Sequence, residues 1–190
     1  MTPSVGFCIP FDAQPNEVAA YLFTDSEGRS DTVRITVSSV SGPIVTMQIE
    51  EGGTVQNVEY DTTCELGRNP NVSFSEEVQY LFSGGGRLPK AEDAPEIPTP
   101  DPGPGITPAP PPVPVISFDC ELAEVTTSAG TFTVERCLYV FDEGGDYQSY
   151  EMYGMEKMEP RPLTFGVVKG TTNFADGSVR NVELVEWNGI

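Results

Sequence analysis

The chain has 190 residues, 38% of them hydrophobic, with 19 glycines, 18 prolines and four cysteines, and its 29 acidic and 10 basic side chains give a formal net charge of −19. That charge argues against nucleic acid or an anionic membrane as partner, because phosphates would be repelled over most of the surface, and no stretch approaches the roughly 18 apolar residues of a membrane helix. Histidine is absent, which removes the commonest general base, the Ser-His-Asp and Cys-His arrangements, and every zinc site that uses imidazole.

In chain order, the opening MTPSVGFCIPF has neither a basic n-region nor a long apolar h-region, so no secretory leader is expected. Asn16 is expected to cap EVAAYLF (17–23) as one or two helical turns. Strands follow by alternation: Val33, Ile35 and Val37 face one way against Arg34, Thr36 and Ser38, and Val45, Met47 and Ile49 repeat the pattern. Turns are expected at DSEG, SGP and EEGG. Asn71-Val-Ser73 is a lone glycosylation sequon, and Ser75 is placed to cap a short helix over EEVQYLF. Residues 88–114 hold 11 of the 18 prolines, so this segment is expected to extend as polyproline II over about 80 Å. Beyond it, Phe132 and Val134 alternate with Thr131, Thr133 and Glu135. Leu163, Phe165 and Val167 suggest another strand, with turns at DEGG and ADGS. The expected fold is all-β, with two small antiparallel sandwich or barrel-like domains, 1–87 and 115–190, joined by the proline-rich linker.

The two halves echo one another. GGTVQNVEY at 52–60 resembles DGSVRNVEL at 176–184, EVAAYLF at 17 resembles ERCLYVF at 135, and VGFC ending at Cys8 resembles ISFDC ending at Cys120. The offsets rise from 112 through 118 to 124 residues in chain order, as insertions in a diverged duplication require.

Catalytic signatures are missing. GGGR at 84–87 lacks the Lys-Ser/Thr of a phosphate loop, and with 29 acids any pair of carboxylates could be nominated for glycoside hydrolysis on abundance alone. No cofactor is expected and no metal is assigned. The sharpest metal candidates are two acidic turns at equivalent repeat positions, Asp25, Glu27 and Asp31, and Asp142, Glu143 and Asp146, which have oxygen ligands for calcium but not the twelve-residue EF-hand spacing. The cysteines fall two per half, and Cys8–Cys64 with Cys120–Cys137 is the simplest of three pairings if the protein meets an oxidising exterior. Trp187 is expected in the core. Together these features point to a non-enzymatic structural protein. The leading expectation is a tailed-phage virion accessory (capsid decoration, neck or tail) that bridges protein subunits, including copies of itself, after synthesis in the host cytoplasm. The alternative is a secreted or surface adhesion module that binds glycan or protein.

Overall fold

In the computed structural model, residues 13–61, 75, 77–78, 81, 115–141, 147–154 and 166–188 are described. Gln14-Pro15-Asn16-Glu17 starts the sheet. Pro15 presets the first central position of a turn, Asn16 takes a positive φ of 70° at the second, and the Glu17 amide closes the turn on the Gln14 carbonyl at 3.0 Å. Asn16 is therefore a turn residue and not a helix cap. The segment it was expected to cap is strand β1 (Val18–Asp25), because β-branched and aromatic side chains that pair on both edges outweigh a short helical stripe.

The other strands are β2 (Ser30–Ser41), β3 (Ile44–Glu51), β4 (Thr54–Asp61), β5 (Val115–Thr127), β6 (Gly130–Phe141), β7 (Tyr147–Gly154), β8 (Val167–Phe174) and β9 (Val179–Trp187). They form one antiparallel sheet in the order β4-β3-β2-β1-β9-β8-β7-β6-β5. Each half is an up-and-down meander, and the meanders meet where β1 pairs with β9, Tyr21 opposite Leu184 and Phe23 opposite Val182. The expected pair of sandwiches or barrels is thus one open sheet shared by both halves. Residues 88–114 lie outside the described residues, as do the DEGG turn, Leu163 and Phe165.

Turn chemistry sets the register. Gly52 and Gly53 both have positive φ, 53° and 77°, as a two-residue type I′ hairpin requires. The β1–β2 and β8–β9 hairpins close alike, with Gly28 and Gly177 at φ 78° and 85° donating to the carbonyls of Asp25 and Phe174. The repeated words hold matching places. EVAAYLF opens the meander β1–β4 and ERCLYVF opens β6–β9, while NVEY and NVEL close them. In the closing pair Val58 and Tyr60 are buried as Val182 and Leu184 are, with Asn57 and Asn181 exposed.

One side of the sheet carries the core. Tyr21, Val33, Ile35, Met47, Val58 and Leu184 share it with Val78 and Leu81, and each aliphatic side chain buried there contributes roughly 1.5–3 kcal/mol. Glu77, Val78 and Leu81 are helical. The Val78 amide donates to Ser75 Oγ at 3.1 Å, as expected of a Ser75 cap, and that hydroxyl donates to Glu51 on β3.

Candidate functional site: the β5–β6 arm

β5 and β6 are longer than the strands beside them. Pairing of β6 with β7 ends at Glu135 opposite Gly154, while β5 and β6 stay paired down to Thr127 opposite Gly130. Residues 123–134 thus form a two-stranded arm beyond the end of β7, with Leu122 at its root, free to twist more strongly than the sheet proper. The buried side changes over at its root. Cys137 and Phe141 are buried in the sheet, whereas Phe132 and Val134, of opposite parity, are buried in the arm. Leu122, Glu124, Thr131 and Thr133 consequently turn outward, Leu122 being 79% exposed.

The arm tip folds back on β9. The Ser128 amide donates to Glu183 Oε1 at 3.3 Å, and the rings of Phe132 and Trp187 lie 5.8 Å apart, tilted by 49°. Trp187 is half-buried at the margin of the core rather than inside it.

A disulfide pins the root. Cys120 and Cys137 face one another across β5 and β6 with Cα atoms 4.2 Å apart and sulfurs 2.05 Å apart. The expected second-half pairing is therefore present; Cys8 and Cys64 lie outside the described residues. The Glu135 carboxylate lies within 4.8 Å of both sulfurs, but with the sulfurs joined to each other neither is a thiolate ligand, and Glu135 alone is left as an anionic donor. Beside the disulfide, Arg136 ties three strands together. Its Nε donates to Glu151 Oε1 on β7 at 2.5 Å and its Nη1 to Glu121 Oε1 on β5 at 2.6 Å. The hydrogen bond to Glu151, then that to Glu121, raises the Arg136 pKa further above its ordinary value. Residue-type reasoning missed Arg136. The available signal was alternation: Glu121 and Glu151 stand on the flanking strands on the same face.

The acidic turn of the first half is a hairpin closure. Asp25 Oδ1 accepts the amides of Glu27 and Arg29, each at 2.9 Å, and Oδ2 accepts Arg29 Nε at 2.5 Å. The Arg29 side-chain hydrogen bond is the main cause that holds the Asp25 carboxyl below its usual range. Glu27 is ion-paired with Arg29 at 3.2 Å, and Asp31 Oδ1 accepts the Thr32 amide on β2. These three acids are engaged in organising the turn and do not converge as a ligand set. Asp142, Glu143 and Asp146 lie outside the described residues, as does Asn71. The same turn chemistry recurs at Asp176, whose Oδ1 accepts both the amide and the hydroxyl of Ser178, the hydroxyl bond being the larger cause of its lowered pKa.

Among the described residues, two buried donors have no hydrogen-bond partner, the Tyr21 hydroxyl and the Trp187 Nε1–H. Burial, with the neighbouring Glu17 charge second, pushes the Tyr21 hydroxyl well above the ordinary tyrosine range. A shallow surface depression lies elsewhere on the sheet, between Phe23, Thr172, Arg180, Asn181 and Val182, and has no carboxylate among its described lining residues.

No family model matches the chain, and no curated protein sequence does. Among solved structures, it is similar to a Bacteroides fragilis protein of YmcC-like fold labelled as exported, at 11% identity and a TM-score of 0.47, covering 96% of this chain and 100% of that one. It is also similar to MucB, solved in complex with the periplasmic part of MucA, at 11% identity and a TM-score of 0.42, covering 90% of this chain and 49% of that one.

Proposed function

We propose that the chain is a non-catalytic protein-binding module that works in an oxidising compartment outside the cytosol. One observation carries the reading: Cys120 and Cys137 are joined across adjacent strands at the root of an arm whose outward side is exposed. Structural disulfides persist in secreted and periplasmic proteins and are rare where glutathione keeps thiols reduced. The absence of histidine and the use of Asp25, Asp176, Glu121 and Glu151 in turns and ion pairs fit a scaffold better than a reaction centre. The subunit-bridging virion role depended on two domains held apart by the proline-rich segment. With β1 and β9 hydrogen-bonded, the halves lie side by side, which favours the secreted or surface module.

The test is the redox state in the native location. Protein recovered from its source under alkylating, non-reducing conditions should give a linked Cys120–Cys137 peptide in nearly all molecules. Recovery mostly as alkylated thiols would reject the oxidising compartment.

A further inference from the structure

We infer that the outer edge of β5 is a docking rail for an extended, lysine- or arginine-bearing strand of a partner protein. The inference rests on the binding-module reading and names the chemistry of its partner.

Backbone geometry defines the rail. The β5–β6 hairpin has a two-residue loop closed by the pair Thr127 and Gly130. Opposed residues in an antiparallel ladder alternate between hydrogen-bonded and non-hydrogen-bonded pairs, so counting back from this closing pair makes Cys120 and Cys137 a non-hydrogen-bonded pair. Their Cα separation of 4.2 Å agrees, since such pairs lie near 4.5 Å rather than 5.5 Å. The amides and carbonyls of Cys120, Leu122, Glu124 and Thr126 therefore point away from β6. Among the described strands β6 is the only partner of β5, so these groups form a ready row of donors and acceptors.

Edges of this kind are ordinarily guarded by lysine, proline or bulges. Residues 117–127, SFDCELAEVTT, contain no lysine or proline, and the irregularity in β5 is confined to Val115–Ser117. What the edge does carry is acid: Asp119, Glu121 and Glu124, all exposed, with Leu122 between them. Arg136 offsets Glu121, which leaves Asp119 and Glu124 without an ion pair among the described residues.

Charge selects the occupant. A second copy would bring either another β5 or β4, and β4 ends in Glu59 and Asp61 with no basic residue, so each self-pairing sets acid against acid. A strand with cations opposite Asp119 and Glu124 and an apolar side chain opposite Leu122 satisfies the backbone row and the side chains together.

The test uses the full, oxidised chain and a lysine–valine octapeptide, Thr-Val-Lys-Thr-Val-Thr-Val-Lys, which, run antiparallel along residues 119–126, sets its lysines opposite Glu124 and Asp119 and a valine opposite Leu122. The same peptide carrying glutamate for both lysines (glutamate–valine) or proline for the valines (lysine–proline) serves as control. Only the lysine–valine peptide should bind, and amide exchange should slow at Cys120, Leu122, Glu124 and Thr126 while Glu121, Ala123 and Val125, already paired to β6, stay unchanged. Leu122→Pro removes an outward amide without breaking a ladder bond and should weaken binding about tenfold or more, the equivalent of one or two backbone hydrogen bonds. Should that variant not fold, Asp119→Lys/Glu124→Lys, at two exposed side chains, should abolish binding with the melting curve kept. No binding, equal binding of the lysine–proline peptide, or protection without the alternation would overturn the inference. Each of those results leaves the disulfide mapping, and so the compartment, untouched.

Discussion

Removing the Cys120–Cys137 cross-link isolates what the disulfide contributes. The cysteines are 17 residues apart, and closing a loop of that size in the unfolded chain costs about 3 kcal/mol on the chain-entropy model. The Thr127–Gly130 turn already favours closure in the denatured ensemble, so the expected loss for Cys120→Ala/Cys137→Ala is about 2–3 kcal/mol. In a chain of this length that corresponds to a melting temperature lower by roughly 4–12 °C. Double substitution is preferable to reductant, which would also reach Cys8 and Cys64. Urea unfolding followed by far-UV circular dichroism reads the change directly. A companion variant, Cys120→Val/Cys137→Val, keeps a cross-strand apolar pair at the same non-hydrogen-bonded site, and such a pair returns no more than about 1 kcal/mol. If the alanine pair loses less than about 1 kcal/mol, or the valine pair recovers the whole loss, the stabilisation comes from packing and not from the covalent link.

Phe132→Ala should cost up to about 3–5 kcal/mol and shift the emission of Trp187, the single tryptophan, to the red as the arm tip leaves β9; unchanged emission would mean that the arm is held elsewhere. Leu184→Ala, at the fully buried seam residue opposite Tyr21, should cost about 2–5 kcal/mol and destabilise both meanders together, seen as one unfolding transition rather than two. Because the Tyr21 pKa is raised on folding, its contribution is fully present below the unfolded value near 10 and is lost as pH rises beyond it, at about 1.4 kcal/mol per pH unit. Absorbance at alkaline pH should therefore show one of the seven tyrosines ionising only with unfolding, and titration of all seven in the native state would refute its burial.

Local features were legible where a side chain acts on its own backbone or its strand neighbour. The glycines of EEGG, DSEG and ADGS sit at the positive-φ positions that those turns need, and Val33, Ile35 and Val37 alternate into the core as written. EVAAYLF misled because Val18, Tyr21 and Leu22 fit a helical stripe as well as Ala19, Tyr21 and Phe23 fit a strand face, and seven residues are too few to separate the two periods. The union of the halves was illegible for a different reason. Pairing of β1 with β9 is decided by which edge finds which, and neither strand has a local mark of its partner. The changeover of buried faces between Val134 and Cys137 was equally hidden, since it follows from the twist of a ribbon that outruns β7. The acids around Asp25 read as ligands by composition, yet the backbone amides of the turn and Arg29 had the prior claim on them.

The seam between β1 and β9 has a consequence for how the molecule is made. The Val18 amide donates to Asn188 Oδ1, 170 residues along the chain, so the first described strand waits for the last described one. The other seven pairings among the described strands join consecutive strands, so this seam is the slow step, because the entropy of closing so long a loop comes before any contact that repays it. During synthesis β1 to β4 can form a meander on the ribosome, but β1 keeps a bare edge and its half of the core has no Val182 or Leu184 against it. A nascent chain in that condition invites foreign strands, and a chaperone that shields β1 until β9 has emerged would serve it best.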